Sequence, residues 1–455
     1  MKYFKFVILF LLISTLSWSQ TKKWTLRECV DYAIVNNISV KQSELDLQNT
    51  NIAKKDAIGN FMPNFNISSS HSWNIGLNQN ITTGLLQNQT TQFTAANLNA
   101  NIDVFKGMQN INQLRKANLS LIASQYQLTK IQEDIALNVA NAYLQILFNK
   151  ENLKVQKEQK ALSQKQLNRT NELVEAGNVP KGDLLDVQAT LAGINQRLIA
   201  AENTLFLSKL SLAQLLQLPD FQNFDIAEDN IPGMLSVIEN ETAESILAKA
   251  KENRTELKIA KTNMDIAQKD IQIAKGAYLP SLTGFYGYNT RASNADRVLG
   301  VDAGGNFITG SALPIFQQFD KNKGQNFGVQ LSLPIFNGFA VKNNVARSKV
   351  AFERSKLAYN QEELTLERNV FTAYSDCKAA KESYQAALTT LKARELAMNY
   401  AKERYEIGMM NVFDYNQAQT TYVNAQSEVL RTKYDYIFRI KILEFYFGIP
   451  LIEKQ

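Results

Sequence analysis

The chain carries one plan twice. Ala33 and Asn36 recur as Ala250 and Asn253, and Phe61-Met62-Pro63 recurs as Tyr278-Leu279-Pro280, both 217 residues later. Further along, the offset becomes 231. Phe105 and Gly107 match Phe336 and Gly338, Gly177 and Asp183 match Gly408 and Asp414, and Pro219 matches Pro450. A unit of roughly 200 residues has been duplicated, with 14 additional residues between Pro280 and Phe336 in the second copy. Such a duplication predicts two quasi-equivalent halves and a machine of repeated geometry, without one unique active site.

Residues 1–19 read as an export signal. Lys2 and Lys5 form the charged start, Phe6 to Leu16 the apolar stretch, and Ser17 and Ser19 the small residues before a cleavage point at Gln20. Removing the two lysines lowers the formal charge from +6 to +4. That balance is too mild for a nucleic-acid partner. Cys29 and Cys377 fall at non-corresponding places of the two repeats, so no disulfide scaffold is expected. After residue 19 no stretch has the length and apolarity of a transmembrane helix. Three routes stay open for an exported chain of this kind: solubility, lipidation, or entry into an outer membrane as a β-barrel.

The hydrophobic period supplies the layout. In repeat 1 (20–219), Thr25 and Glu28 form a capping-box pattern that opens a helical region over 25–60, with a break at Asn36-Asn37. Alternation then marks strands over 64–75 and 94–105. The polar stretch 76–92 between them reads as a loop. Gly107 to Val174 holds no glycine after the first position and no proline. The helix 107–175 is thus expected to run about 100 Å; a turn and a second helix, 180–218, follow. Repeat 2 (244–450) has helices over 244–277, strands over 281–290 and 327–336, and helices over 338–406 and 411–447. A linker, 220–243, joins the repeats, and 451–455 is a short tail. A long Gly/Asn/Asp-rich loop, 291–326, holds the extra residues.

Two hairpins per chain give four strands, each long enough for a tilted membrane crossing. Four strands cannot close a barrel, and open edges in hydrocarbon leave backbone groups unpaired. Strands in a membrane would therefore have to be pooled from several chains. One face of the second and fourth strands is apolar, and the other carries Asn97, Asn99, Asn101, Asp103, Gln330 and Ser332, a lipid-outside, water-inside pattern. The competing reading is an exported coiled-coil structural or adhesive protein without a pore, in which the polar face meets bulk solvent.

The ordered set of motifs, present twice, resembles the outer membrane efflux proteins, the channel-tunnel exit ducts of Gram-negative bacteria. It comprises the Pro63 and Pro280 entries to the first strands, the Phe105-Lys106-Gly107 and Phe336-Asn337-Gly338 exits from the second, the turns after Leu173 and Tyr405, and the closing Leu218-Pro219 and Ile449-Pro450. The resemblance implies a mostly α fold with membrane β: duplicated long helical hairpins form a periplasmic α-barrel, and four strands per chain enter a trimeric, twelve-stranded transmembrane β-barrel. It implies a homotrimer in outer membrane lipid, a periplasmic adaptor (membrane fusion) protein, and an inner-membrane pump of RND or ABC type that supplies the work. The linker and tail would belong to an equatorial belt. No cofactor is implied.

Function should sit at the helical hairpin tips. Gly177 and Gly408 permit the positive φ that ends a helix, and Pro180 suits the first turn of the next. By resemblance, Gly177, Asn178, Val179 and Pro180, with Gly408, Met409, Met410 and Asn411, meet the adaptor. A ring of aspartates in the family lines the closed mouth, and Asp414 matches the first of these. Its companion position holds Gln417, whereas repeat 1 carries Asp183 and Asp186. Tyr405 matches an aromatic of the closing network, and Met410 stands where some members have a basic residue. Arg169 and Lys402 are equally well explained as solvated charges. His71 is the only histidine; a metal site needs several ligands, and no cluster accompanies it. No nucleotide-binding or hydrolytic motif is present, so an enzyme is not expected.

Overall fold

A computed structural model describes residues 23–79, 84, 86–228 and 237–449. The export signal, Pro450 and the C-terminal tail lie outside the described residues.

The chain begins with β1 (Lys23–Trp24), α1 (Leu26–Asn36) and α2 (Ile38–Gly59), then β2 (Asn64–Gln79) and β3 (Leu86–Lys106). The long α3 (Gln109–Glu175) and α4 (Lys181–Leu216) follow, then β4 (Asp225–Ile226). The second repeat runs α5 (Ala243–Asn253), α6 (Thr255–Gly276), β5 (Ser281–Ser293), β6 (Arg297–Val301), β7 (Phe307–Gly310), α7 (Ile315–Lys321), β8 (Gly324–Ser332), α8 (Ala340–Glu406) and α9 (Val412–Phe447). Both long helices have 67 residues and both of their partners 36.

Several boundaries differ from the sequence reading. The helices of 244–277 divide at Arg254, which is extended (φ −65°, ψ 131°) and caps α5. Its counterpart Asn37 breaks 25–60 in the same way (φ −61°, ψ 132°). The expected loop 76–92 is largely strand, since β2 runs to Gln79 and β3 starts at Leu86, and paired amide ladders satisfy the polar residues there. The loop 291–326 contains the β6–β7 hairpin and α7. The long helices start later than 107 and 338 because Gly107, Met108, Gly338 and Phe339 are all left-handed. The last strand stops at Ser332, ahead of Pro334, whose ring removes a ladder donor.

The chain divides into two compact units. One comprises Met1–Asp46, Gln125–Ile259 and Tyr359–Gln455. It is helical, with two apolar clusters that repeat one design. Ile135, Val139 and Leu212 are buried in the first, and Leu366, Val370 and Leu443, 231 residues on, in the second. Cys29 lies in the first cluster and Cys377 in the second, so they are not joined to each other. The first cluster is completed by β1 pairing in parallel with β4. Tyr143 donates its hydroxyl to Ala227 O at 2.7 Å beneath that pair. Lys150 and Lys209 both meet Asp225 Oδ1, at 2.9 and 2.8 Å. Burial raises the Asp225 pKa, but the hydrogen bonds and charges of the two lysines outweigh it and hold the carboxyl below its ordinary value.

The other unit, Leu47–Ser124 and Ala260–Ala358, carries an antiparallel sheet in the order β2-β3-β5-β8. Its register sorts the side chains by face. Phe65 aligns with Ala100 and Tyr286, Ile67 with Leu98 and Tyr288, and Leu282 with Leu331. The opposite face aligns Asn66 with Asn99, Ser68 with Asn97 and Asn289, and Thr283 with Gln330. The apolar face is bare in one chain: Ile67 is 79% exposed and Val329 70%. Trp73 shares this face, with His71 edge-on to it at 4.3 Å between centroids. β2 and β8 each have one neighbour in the sheet, so it has two outer edges.

Candidate functional site

The helical hairpin tips, both in the helical unit, share one backbone solution. At the first, Gly177 has φ 76°, its N–H donates to Val174 O at 3.0 Å, and Asn178 N–H donates to Leu173 O at 2.9 Å. At the second, Gly408 has φ 76°, with Tyr405 O at 3.1 Å, and Met409 N–H donates to Arg404 O at 2.8 Å. This is the Schellman arrangement, in which a left-handed residue lets two N–H groups close the last helical carbonyls.

The following helix starts differ. Pro180 caps α4 with no side-chain bond. Asn411 caps α9: its Oδ1 accepts from Asp414 N–H at 2.8 Å, and its Nδ2 donates to Asp414 Oδ2 at 3.0 Å. The Asp414 carboxylate is thus fixed in orientation yet solvent-exposed, on a helix N-terminus that favours negative charge. Gln417 is also exposed one turn on; Asp183 is half-buried and Asp186 exposed on α4. Exposed Ile407, Met409 and Phe413 give the second tip an apolar rim, while the first tip presents Asn178 and Pro180.

Tyr405 is the centre of a network. Its ring stacks on Tyr415 at 4.7 Å between centroids and 19° between planes. Its hydroxyl accepts from Gln166 Nε2 at 2.7 Å. Burial, with smaller contributions from Tyr405 and Glu406, raises the Tyr415 pKa, so this hydroxyl stays neutral. Arg169 and Glu406 approach at 3.9 Å with both side chains about half exposed, a weak pair. Asn416 Nδ2 donates to Thr190 Oγ1 at 3.3 Å, linking the two short helices. Three of the four helices thus meet at Tyr405: α3 by Gln166, α8 by Tyr405, α9 by Tyr415. Gln166 escaped sequence reasoning because nothing in a polar helical run marks one glutamine. The aromatic at 415 was visible, but its partner lies across a turn.

Among the described residues no group of three or more His, Cys, Asp or Glu side chains is arranged to hold a metal ion. No helix among them is long and apolar enough to cross a membrane.

Comparison with known proteins follows the same two-repeat division. A family model described as "Outer membrane efflux protein" matches residues 29–217 and 246–443. The outer membrane protein TolC of Vibrio cholerae is 25% identical over 331 residues, covering 70% of this chain and 68% of that protein. TolC of Escherichia coli is 23% identical over 309 residues, and the match spans 59% of its length, under two thirds. The solved structure of CusC, described with transmembrane channel formation, superposes with a TM-score of 0.77 at 16% identity, covering 95% of each chain. The fold is therefore that of the channel-tunnels, with an α-barrel part and a β part.

Proposed function

The chain belongs to the outer membrane efflux protein family, and from that premise we propose that three copies assemble into a passive exit duct for a tripartite pump. The family places the chain in the outer membrane, with its tunnel in the periplasm. Its members are outer membrane channels of efflux and secretion, and the pore-less adhesive reading falls away. The observation that carries the proposal is the sheet: four strands, one bare apolar face, one polar face and two outer edges. In hydrocarbon an unpaired edge costs several kcal/mol per group, about the cost that drives barrel closure. Three chains supply twelve strands, with the apolar face to lipid and the Asn/Ser face to water.

The duct performs no covalent chemistry. A periplasmic adaptor meets the tips around Gly177 to Pro180 and Gly408 to Asn411. An inner-membrane RND or ABC pump supplies the free energy and selects the substrate. Three Asp414 carboxylates converge at the closed mouth with Gln417 beside them, flanked by Asp183 and Asp186, and Tyr405 braces the closed hairpins. The exposed, oriented carboxylate of Asp414 supports this reading. Single-channel recording of the purified protein in a planar bilayer tests it. Cation-preferring conductance blocked by multivalent cations is expected, with both properties reduced in Asp414→Asn. An unchanged preference and block in the variant would remove Asp414 from the gate, and absence of conductance would overturn the duct.

A further inference from the structure

The additional residues of the second repeat build an element that the first repeat lacks. Pairing of β5 with β8 ends at Asn289↔Gly324, yet β5 continues to Ser293. Over that last stretch α7 takes the place of a strand. Gln318 Nε2 donates to Ser293 O at 2.8 Å, and Gln318 Oε1 accepts from Ser293 N–H at 2.9 Å. Asn322 Nδ2 donates to Arg291 O at 2.8 Å, and Thr290 Oγ1 donates to Phe319 O at 2.7 Å. These bonds fix a helix of seven residues to the sheet. Its outer side chains are bare: Phe316 is 84% exposed and Ile315 48%. Among the described residues between β2 and β3, repeat 1 has no such helix.

Register fixes the level at which α7 sits. In chain order α2, α3, α6 and α8 all adjoin one end of the sheet, so α7 lies at the other. On the apolar face, rows of side chains run from Leu282 with Leu331 to Ile67 with Leu98 and Tyr288. The face then turns polar, first at Ser69 and Thr290, which share a row through Ala96. His71 comes next, its Nδ1 at 2.8 Å from Thr94 Oγ1, and then Trp73, 59% exposed. On a membrane strand, such a change with an aromatic beside it marks the boundary between hydrocarbon and headgroups. Alternation puts Thr290 on the face of Tyr288. Its bond to Phe319 O therefore draws α7 toward the apolar face. Ser293, which holds Gln318, shares a row with Ser72, between His71 and Trp73.

We propose that α7 is an outer-leaflet anchor, with Phe316 and Ile315 entering the acyl layer and Lys321 and Lys323 meeting lipid phosphates. This rests on the reading of the sheet's apolar face as lipid-facing. Lipid is the occupant because the bare side chains of α7 continue that face at its outer boundary. Charge agrees. Over 315–323 two lysines stand against Asp320 alone, which leaves one positive charge. The Asp320–Lys323 pair, at 2.7 Å, is exposed on both sides and holds its lysine weakly. Lysine stems lie along apolar surface while their ammonium groups reach a polar layer.

Spin labels on the full-length protein test the anchor in vesicles of phosphatidylcholine and phosphatidylglycerol in equal parts. A nitroxide on F316C should be reached by oxygen in preference to a water-soluble nickel chelate, several-fold more so than one on N178C at a helical tip. The chain without a new cysteine sets the background, since Cys29 and Cys377 are buried. A label on I67C reads the sheet itself. Nickel access at 316 with oxygen access at 67 overturns the anchor and leaves the lipid-facing sheet standing. Nickel access at both positions overturns both. A label at 316 that neither reagent reaches, as beneath a neighbouring copy or another protein, overturns lipid as the occupant. K321E/K323E should lower the oxygen preference at 316 several-fold in the mixed vesicles and leave it unchanged in phosphatidylcholine alone. No loss in the mixed vesicles, or an equal loss in both, would overturn the phosphate contact.

Discussion

Asn37 and Arg254 occupy the same break in the two repeats, and their backbones are nearly superimposable. Each donates its N–H over 2.8 Å, to Ala33 O and Ala250 O. Their side chains do unrelated work. The Asn37 amide donates to Leu215 O and accepts from Ser39 N–H. The Arg254 guanidinium, 4% exposed, bonds Glu133 and Glu256 at 3.0 and 3.1 Å and lies 3.7 Å over the Phe445 ring. Burial raises the Glu256 pKa, and Arg254 more than reverses that. The hairpin tips tell the same story, with equal turns at Gly177 and Gly408 and different caps at Pro180 and Asn411. Duplication has preserved where the chain turns; the side chains that hold each turn have diverged.

The break itself gives the most severe test. Arg254→Met should cost about 3 kcal/mol, because it leaves two half-buried carboxylates without their cation. Asn37→Ala should cost about 1 kcal/mol. Thermal unfolding in detergent would read both, and equal losses would dissolve the contrast. Next come two glycines that correspond across the repeats: a Cβ added to Gly276 would lie 2.4 Å from Gly107 O, whereas one added to Gly59 would meet no atom within 4 Å. Gly276→Ala should cost about 2 kcal/mol through overlap with the Gly107 carbonyl. Gly59→Ala should leave the isolated chain no less stable, as judged by urea titration. At the tips, Asn411→Ala should lose about 1 kcal/mol as a missing cap, whereas Pro180→Ala removes no side-chain bond. Hydrogen exchange at the start of each short helix would show whether only the second frays.

The smallest effect belongs to Asp225, whose clamp has no twin: Ile440 stands one repeat on from Lys209. Its folded pKa is depressed, so its contribution is present above the unfolded carboxylate value and is lost as pH falls through the folded one. Asp225→Asn should lower stability near neutrality by less than about 1 kcal/mol, and the difference from wild type should vanish on acidification. A difference that persists at low pH would assign the loss to packing instead of charge.

Much of this fold could be read from spacing alone. Sixty-eight residues from Gly107 to Val174 without an internal glycine or proline mean a long helix, and Gly177 and Gly408 mark its end. Alternation over Phe65 to Ile75 marks a strand. What escaped depended on partners remote in sequence. Arg254 is a good helix former, and only the offset from Asn37 points to its break. Gln79 and Leu86 read as loop because polar strand residues look like loop until a neighbour pairs them. At the tips, Tyr405 was legible as an aromatic by a turn, but its bond from Gln166 crosses to a helix that no local pattern specifies.

The parallel pair of β1 with β4 carries a consequence for time. Lys23 and Trp24 align with Asp225 and Ile226, almost half a chain away. A chain exported from its N-terminus delivers the first strand long before its mate, and a contact so distant in sequence is slow to close. The first strand of the described chain is thus fixed only after residues 225 and 226 have followed. Trp24 packs edge-on against nearby Tyr32, at 5.2 Å between ring centroids, but its strand cannot pair until Asp225 and Ile226 have arrived.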